Sequence, residues 1–345
     1  MKAETRRDET PSISIIVPAY NAEKTVAKTL QSLVGQDYPK GSYEIIVVDD
    51  GSTDGTVEAI KKFKGVKLVL QEHAGPAVAR NRGVRHSKGD ILLFTDADCI
   101  AGNGNWIRNM IKPLENKAVV GVCGTYKTGN GNSIVSRFVG YEIEARHDSM
   151  RRQHAIDFVG TFSAAYRRDV FLKFGGFDES FDRASGEDTD LSFKVSKSGG
   201  MIVFAPDAYV YHHHPDTLGT MLKKKFWMGY WRVPLYRKHA DKLFRHSYTP
   251  KVVFVKEALI AMTLLSLILG LLGMVPIRIA AYTFALVILL SIPLSLRMFR
   301  KDRMVGILSP GIIVLRDFAS GLGIAAGFLS LIKENDDRKQ YDRKQ

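Results

Sequence analysis

The sequence predicts an open α/β sheet, mostly parallel, followed by transmembrane helices. Ile13–Val17, Glu44–Val48, Val66–Leu70 and Ile91–Phe94 are apolar runs of strand length, rich in β-branched residues. They lack the polar alternation of a one-sided sheet, which is the mark of parallel strands buried on both faces. Amphipathic stretches separate them, and a βαβαβ order specifies an open α/β sheet. Beyond Lys223 the composition changes to a basic, aromatic segment and then to long uncharged apolar runs.

Between the first two strands, Val26, Leu30 and Leu33 recur at helical spacing, and Asn21 stands where a helix N-cap is expected. Val57 and Ile60 continue a second helix expected to begin near Thr53. Met201–Ala205 and Tyr209–Val210 read as a late apolar strand, and Leu191, Phe193 and Val195 belong to a helix entered through Gly186-Glu187-Asp188. Ala258–Val275 and Ile279–Leu296 carry no charge, and each approaches the roughly 20 residues a helix needs to cross a bilayer. A third apolar region, 304–332, contains Pro310 and the pair Arg316–Asp317; an interfacial or re-entrant element is favoured there over a full span. Mutual pairing near a surface accounts for those two charges more simply than a functional role.

These shifts divide the chain into a charged tail (1–11, with Lys2, Arg6 and Arg7), an α/β domain (12–222), a basic aromatic juxtamembrane segment (223–256), transmembrane or interfacial helices (257–333) and a second charged tail (334–345). Arg297, Arg300, Lys301 and Arg303 follow the second run, whereas the turn before it holds only Arg278. The positive-inside rule therefore predicts a multi-pass cell-membrane protein whose α/β domain is cytoplasmic. Met1 to Pro11 lacks the apolar core of a signal peptide. With 345 residues, 45% of them hydrophobic, the chain has ample material for a core, so disorder and collagen-like structure are excluded. Two cysteines, Cys99 and Cys123, exclude a disulfide framework and fit a reducing compartment. The net charge of +13 adjoins the apolar runs, so membrane lipid rather than nucleic acid is the expected partner.

The polar motifs fall at the carboxyl ends of the strands, where open α/β sheets bind ligands. The first strand leads into Pro18-Ala19-Tyr20-Asn21, and the second into Asp49-Asp50-Gly51-Ser52-Thr53-Asp54. An acidic residue at such a tip accepts hydrogen bonds from a base or ribose, and Gly51 permits a tight turn; a solvated turn that caps the next helix is the plainer alternative. Asp96-Ala97-Asp98 follows the fourth strand, and its two carboxylates can reach one divalent cation on a diphosphate. Exposed Asp-X-Asp is common in loops, and it is the position after Ile91–Phe94 that gives this one weight. Glu187-Asp188 is a further acidic pair, for which an acidic helix start is the alternative. Tyr211-His212-His213-His214 offers one metal ligand with two bystanders.

Together, Ile15-Ile16-Val17-Pro18-Ala19-Tyr20-Asn21, Val47-Val48-Asp49-Asp50-Gly51-Ser52-Thr53-Asp54-Gly55-Thr56, Ala79-Arg80-Asn81-Arg82-Gly83, Asp96-Ala97-Asp98, Gly175-Gly176-Phe177-Asp178-Glu179 and Glu187-Asp188 cover most of 12–215. In this order they resemble the family 2 glycosyltransferases with the GT-A fold. The resemblance implies inverting, single-displacement transfer from a UDP- or GDP-sugar with Mg²⁺ or Mn²⁺. By position, Pro18, Ala19, Tyr20, Asn21, Asp50, Gly51, Arg80, Asn81 and Asp96 would address the nucleotide sugar. Asp98, Asp96 and His212, with His214 in reserve, would hold the metal, and Asp188, with Glu187 beside it, would be the catalytic base.

The intact Glu187-Asp188 pair favours a hydroxyl acceptor on a lipid-linked or cell-surface glycan. A polyprenyl-phosphate glycosyltransferase making a lipid-phosphate-sugar donor is the alternative within the enzyme class, although its acceptor, already ionised, barely needs a base. Processive members of the family carry Gln-x-x-Arg-Trp, of which Lys223-Lys224-Lys225-Phe226-Trp227 keeps only the Trp, so a single sugar is expected per acceptor. Lys223–Lys256 would hold the site against the cytoplasmic leaflet or simply set topology. A non-catalytic nucleotide-sugar-binding membrane subunit is the alternative outside the enzyme class, and retention of Asp50, Asp96, Asp98 and Asp188 speaks against it.

Overall fold

The computed structural model describes residues 12–181 and 186–342, with side chains through Lys333. The N-terminal tail with Lys2, Arg6 and Arg7, and the side chains of the tail 334–345, lie outside the described residues. The chain forms two compact units, one from residues 1–127 and 153–212, the other from 128–152 and 213–345. The units do not follow the linear order of the sequence, because one helix from mid-chain groups with the C-terminal helices.

The first unit is built on an eight-stranded sheet of order β3-β2-β1-β4-β7-β6-β8-β5. Its parallel part comprises β1 (Ile13–Ala19), β2 (Tyr43–Asp50), β3 (Val66–Gln71) and β4 (Ile91–Phe94). Ile13, Ile15 and Val17 share one core with Val26, Leu30 and Leu33 of α1 (Val26–Val34). Ile46, Val48 and Val69 pack with Ala79 of α3 (Pro76–Arg85) in a separate cluster. Both faces are therefore covered over β1, β2 and β4, which is why these strands are mostly apolar. The strand β3, expected to be buried on both faces, is instead an edge strand with Lys67 and Leu70 exposed, because no strand covers its outer side.

Past β4 the sheet is mixed rather than parallel. The strand β7 (Ala164–Arg167) runs antiparallel to β4 and to β6 (Val119–Thr128), and β5 (Cys99–Ala101) runs antiparallel to β8 (Met201–His212). The two apolar pieces expected at 201–205 and 209–210 are one strand, continuous through Pro206 and Asp207. Two local expectations are corrected. The helix α1 begins after Thr25, so Asn21 is not its cap. The helix α2 (Thr56–Lys61) begins three residues after Thr53, because the Asp54 carboxylate accepts from the Thr56 N–H (3.0 Å) and hydroxyl and stops the turn there.

The second unit is helical: α5 (Ile134–Arg151), α8 (Leu218–Lys238), α9 (Lys251–Leu271), α10 (Arg278–Lys301) and α11 (Arg303–Asp342). The first unit contributes α4 (Trp106–Ile111), α6 (Arg168–Lys173) and α7 (Glu187–Lys197). Three helices, Lys251–Leu271, Arg278–Lys301 and the stretch Arg303–Lys333, are long and apolar enough to cross a membrane. Leu265, Ile268, Leu271, Tyr282 and Leu289 lie exposed on α9 and α10, where water would be an unfavourable neighbour. The third apolar region is one unbroken helix through Pro310, so it is not a re-entrant hairpin.

The helix α8 packs on α11 at backbone contact. A Cβ at Gly323 would overlap the Phe226 carbonyl, and one at Gly327 would stand 2.7 Å from the Tyr230 oxygen. Small residues at such crossings let helices approach closely. Gly323→Val is expected to separate α8 from α11 and cost about 1–3 kcal/mol. Thermal unfolding of the full-length protein in detergent checks this, and an unchanged midpoint would contradict the close contact.

Candidate active site

The carboxyl tips of β1 and β2 are stitched together by side chains. Asn21 adopts φ +48°, a left-handed conformation that Asn tolerates better than most residues. Its amide N–H donates to the Ser52 hydroxyl (2.9 Å), and its side-chain oxygen accepts from the Thr53 N–H (2.9 Å). Its place in the motif is thus explained by joining two loops rather than by starting a helix. Gly51 has φ +76°, and a Cβ there would come within 2.8 Å of the His73 nitrogen.

Asp50 is buried, and its carboxylate accepts from Gln71 Nε2 (2.6 Å) and from the N–H groups of Ala74 (2.8 Å) and Gly75 (3.0 Å). His73 Nδ1 lies 2.9 Å from the same carboxylate, and its ring stacks on Tyr20 with centroids 4.2 Å apart. Tyr20 is 48% exposed, so the pair presents an aromatic face at the sheet rim. His73 and Gln71 carried no signal in the motif reading. Their position, Gln71 at the last residue of β3 and His73 two residues on, at the same rim as the other tips, is the signal that could have found them.

A second group is assembled around Arg80, which projects from α3 and is only 2% exposed. Its Nη2 binds Asp96 Oδ1 (2.8 Å), and its Nη1 binds Glu187 Oε1 (2.7 Å). One guanidinium thereby joins the tip of β4 to the start of α7. Glu187 is buried, and its other oxygen accepts from the Gly186 N–H (3.1 Å). Asn81 donates to the Phe177 carbonyl (2.8 Å) and Glu179 (2.9 Å), and accepts from the Phe177 N–H (3.0 Å). Where the sequence places Arg80 and Asn81 on the nucleotide sugar and Glu187 beside the catalytic base, the structure has their polar groups turned on protein partners.

Asp188 follows Glu187 and is half-buried. Burial raises its carboxyl to about 7, the Glu187 charge adds to the rise, and Arg80 opposes it. A carboxyl at that level exchanges protons near neutral pH.

The antiparallel pairing of β5 with β8 sets His212 opposite Cys99. His212 Nε2 consequently lies 3.7 Å from Asp98 Oδ2, and ligand atoms of Asp96, Asp98, Cys99 and His212 all fall within 4.8 Å of one another. Two carboxylates and an imidazole suit Mg²⁺ or Mn²⁺. Burial, then the charges of Asp96 and Asp98, push the Cys99 thiol well above its usual range, so it stays protonated and is a poor ligand for a hard cation. Of the three histidines, His213 is exposed, and His214 is buried in the other unit with its backbone N–H and C=O both bonded to the Asn130 side chain (2.7 Å each). Pro18 and Ala19 end β1 beside Val48 and Asp49 of β2.

Comparison with known proteins defines the class. The glycosyl transferase family 2 model matches residues 14–175, and that of glycosyl transferase family group 2 matches residues 96–299. Glycosyltransferase AglE of Haloferax volcanii is 30% identical over 226 residues, covering 64% of this chain and 72% of that protein. The probable glycosyltransferase YdaM of Bacillus subtilis is 29% identical over 238 residues, 65% of this chain and 54% of its own. Validoxylamine A glucosyltransferase of Streptomyces hygroscopicus is 29% identical over 221 residues, so the chain spans about half the length of these last two, 54% and 49%. The mannosyltransferase PcManGT from Pyrobaculum calidifontis, solved with GDP-Man and Mn²⁺, superposes with a TM-score of 0.61 at 19% identity, over 92% of this chain and 87% of that one. The fold is GT-A-like, and the chain belongs to glycosyl transferase family 2.

Replacing Arg80 by Met is expected to leave Asp96 and the buried Glu187 without their shared partner and to cost about 3–5 kcal/mol. Arg80→Lys should recover little, since one ammonium lacks the forked geometry. Chemical denaturation of both variants measures this; a Lys variant as stable as the parent would contradict the bridging role.

Proposed function

We propose that the protein is a metal-assisted, inverting glycosyltransferase that moves one sugar from a nucleotide-diphosphate sugar to a hydroxyl of a lipid-linked or cell-surface glycan. The observation that carries this reading is the Arg80 bridge, which ties the acidic strand tip at Asp96 to the helix start that bears Asp188. Binding of GDP-Man and Mn²⁺ by PcManGT supports a donor and cation of the same kind here.

In this reading the Tyr20–His73 stack offers a surface for the nucleobase, and Asp50 holds that surface by fixing His73. Asp96, Asp98 and His212 would hold Mg²⁺ or Mn²⁺. The bound cation supplies charge neutralisation for the departing diphosphate. Asp188 takes the proton of the acceptor hydroxyl as the oxygen bonds to the anomeric carbon and the bond from that carbon to the diphosphate oxygen breaks. One displacement from the opposite face inverts the centre and leaves no covalent glycosyl-enzyme. Glu187 and Arg80 position the base.

A carboxylate near 7 favours a hydroxyl acceptor over a polyprenyl phosphate, which carries its charge already. The basic aromatic helix α8 and the apolar helices support a multi-pass membrane protein whose catalytic unit is cytoplasmic. Product analysis tests the acceptor class: a glycosidic product survives mild acid, and release of sugar from a lipid monophosphate would overturn the hydroxyl assignment.

Asp188→Asn is expected to keep donor and metal binding while turnover falls about 10²–10⁴-fold. In the parent enzyme log kcat should rise with pH and level off above about 7, where the base is deprotonated. Stability carries the opposite sign. Because the folded-state value lies above the ordinary 3.8, the contribution of Asp188 is intact below that pH and is lost as pH rises through about 7. The Asn variant should therefore melt higher than the parent at pH values above that point, and a lower melting point there would sink the assignment. Asp98→Ala should weaken Mn²⁺-dependent donor binding, read by titration of the purified protein; a Mn²⁺ response equal to the parent's excludes the ligand role.

A further inference from the structure

The helical unit buries a network of charges that the transfer reaction does not use. Glu142 of α5 accepts from Arg146 (2.6 Å) and Lys225 (3.2 Å) and from Arg316 of α11 (2.8 Å). Arg316 Nε also binds Asp317 Oδ1 (2.7 Å), and Lys256 of α9 lies 2.9 Å from the second Asp317 oxygen. Arg316 and Asp317 do pair with each other as the sequence suggested, but in the interior rather than near a surface: their side chains are 4% and 1% exposed.

The balance of charge in this cluster is uneven. The neighbouring Arg232–Glu257 pair (2.7 Å) is neutral by itself and is closed by the Ser320 hydroxyl. Arg146 also lies 5.0 Å from the Tyr248 ring. Among the described residues, Lys225, Arg316 and Lys256 then face two carboxylates, Asp317 and Glu142, and Glu142 is shared with Arg146 as well. Two of the cations are carried on helices apolar enough to cross a membrane. An uncompensated charge is costly in such surroundings, and ionisable groups within apolar helices commonly mark binding sites. His147, next on α5, is held neutral, with its imidazole pushed down to about 3 by burial and then by Arg146.

We infer that Lys225, Arg316 and Lys256 form a binding site for a phosphate or diphosphate group, whose negative charge completes the buried network. A guanidinium and two ammonium groups on three helices can surround such a group from several sides, and charge-assisted bonds of this kind are among the stronger ones available. Lys225 is the least buried of the three, its side chain 15% exposed, and it marks the side from which the anion enters. The site lies wholly within the helical unit and does not depend on the transferase reading.

Binding to the full-length protein tests the inference. Titrations in neutral detergent use inorganic phosphate and pyrophosphate, and titrations in nanodiscs compare phosphatidylcholine alone with phosphatidylcholine carrying phosphatidate. Saturable binding or a raised melting temperature with phosphatidate supports a lipid head group as the occupant. A response to inorganic phosphate or pyrophosphate alone supports a soluble one. Lys225→Gln, the substitution least disruptive to the interior, should weaken either response by about tenfold or more. Failure of the parent protein to respond to any of these anions, or a folded Lys225→Gln that responds as the parent does, would overturn the site. Turnover is not read, so the outcome is separate from that of the catalytic assignment.

Discussion

A single buried guanidinium organises the catalytic unit. Arg80 reaches from α3 to a carboxylate on either side, one at the tip of β4 and one at the start of α7. The residues it joins are far apart in sequence, and nothing in the sheet ladder alone would hold them in register. Two carboxylates so close together repel each other unless a cation stands between them. The bridge therefore sets both the position of Asp96 and the field in which Asp188 titrates. The nearby Asn81, one residue on, locks Phe177 and Glu179 in the same way, so α3 anchors the segment leading to α7 by two side chains.

The helical unit solves a related problem with more charges. Its helices α9, α10 and α11 are apolar enough for lipid, yet Lys256, Glu257, Arg316 and Asp317 sit inside the bundle. Glu257 is paired with Arg232 of α8 and Arg316 with Glu142 of α5, while Lys256 and Asp317 pair with each other. This pairing explains how a mid-chain helix, α5, comes to belong with the C-terminal ones. At the crossing of α8 and α11, glycines permit backbone contact, and Tyr230 and Arg232 of α8 add hydrogen bonds to Ser330 and Ser320 of α11.

Much of the parallel core was legible because its signal is local. Ile91–Phe94 is an uninterrupted apolar run and Ile13–Val17 is broken only by Ser14, and their burial on both faces follows directly from that composition. The antiparallel half was harder to read: β8 carries Pro206 and Asp207 in its middle, and β5 is only three residues long. The proximity of His212 to Asp98 depends on the β5–β8 register, a long-range pairing that spacing cannot reveal. For the same reason, Asp50, Arg80, Asn81 and Glu187 were recognisable as motif residues while their internal bonding was not. A residue's type shows what chemistry it can do; its partners decide whether that chemistry faces a ligand or the protein.

The central claim is that the acidic tip after β4, together with His212, gathers a divalent cation and the diphosphate of a donor in one place. Electron–nuclear double resonance on Mn²⁺ added with a nucleotide-diphosphate sugar tests it most directly. Coupling of the manganese to both a histidine nitrogen and phosphorus nuclei, with the nitrogen signal lost in His212→Ala, is the predicted spectrum. Manganese coupled to phosphorus but to no protein nitrogen, or a nitrogen signal untouched by that substitution, would contradict the account.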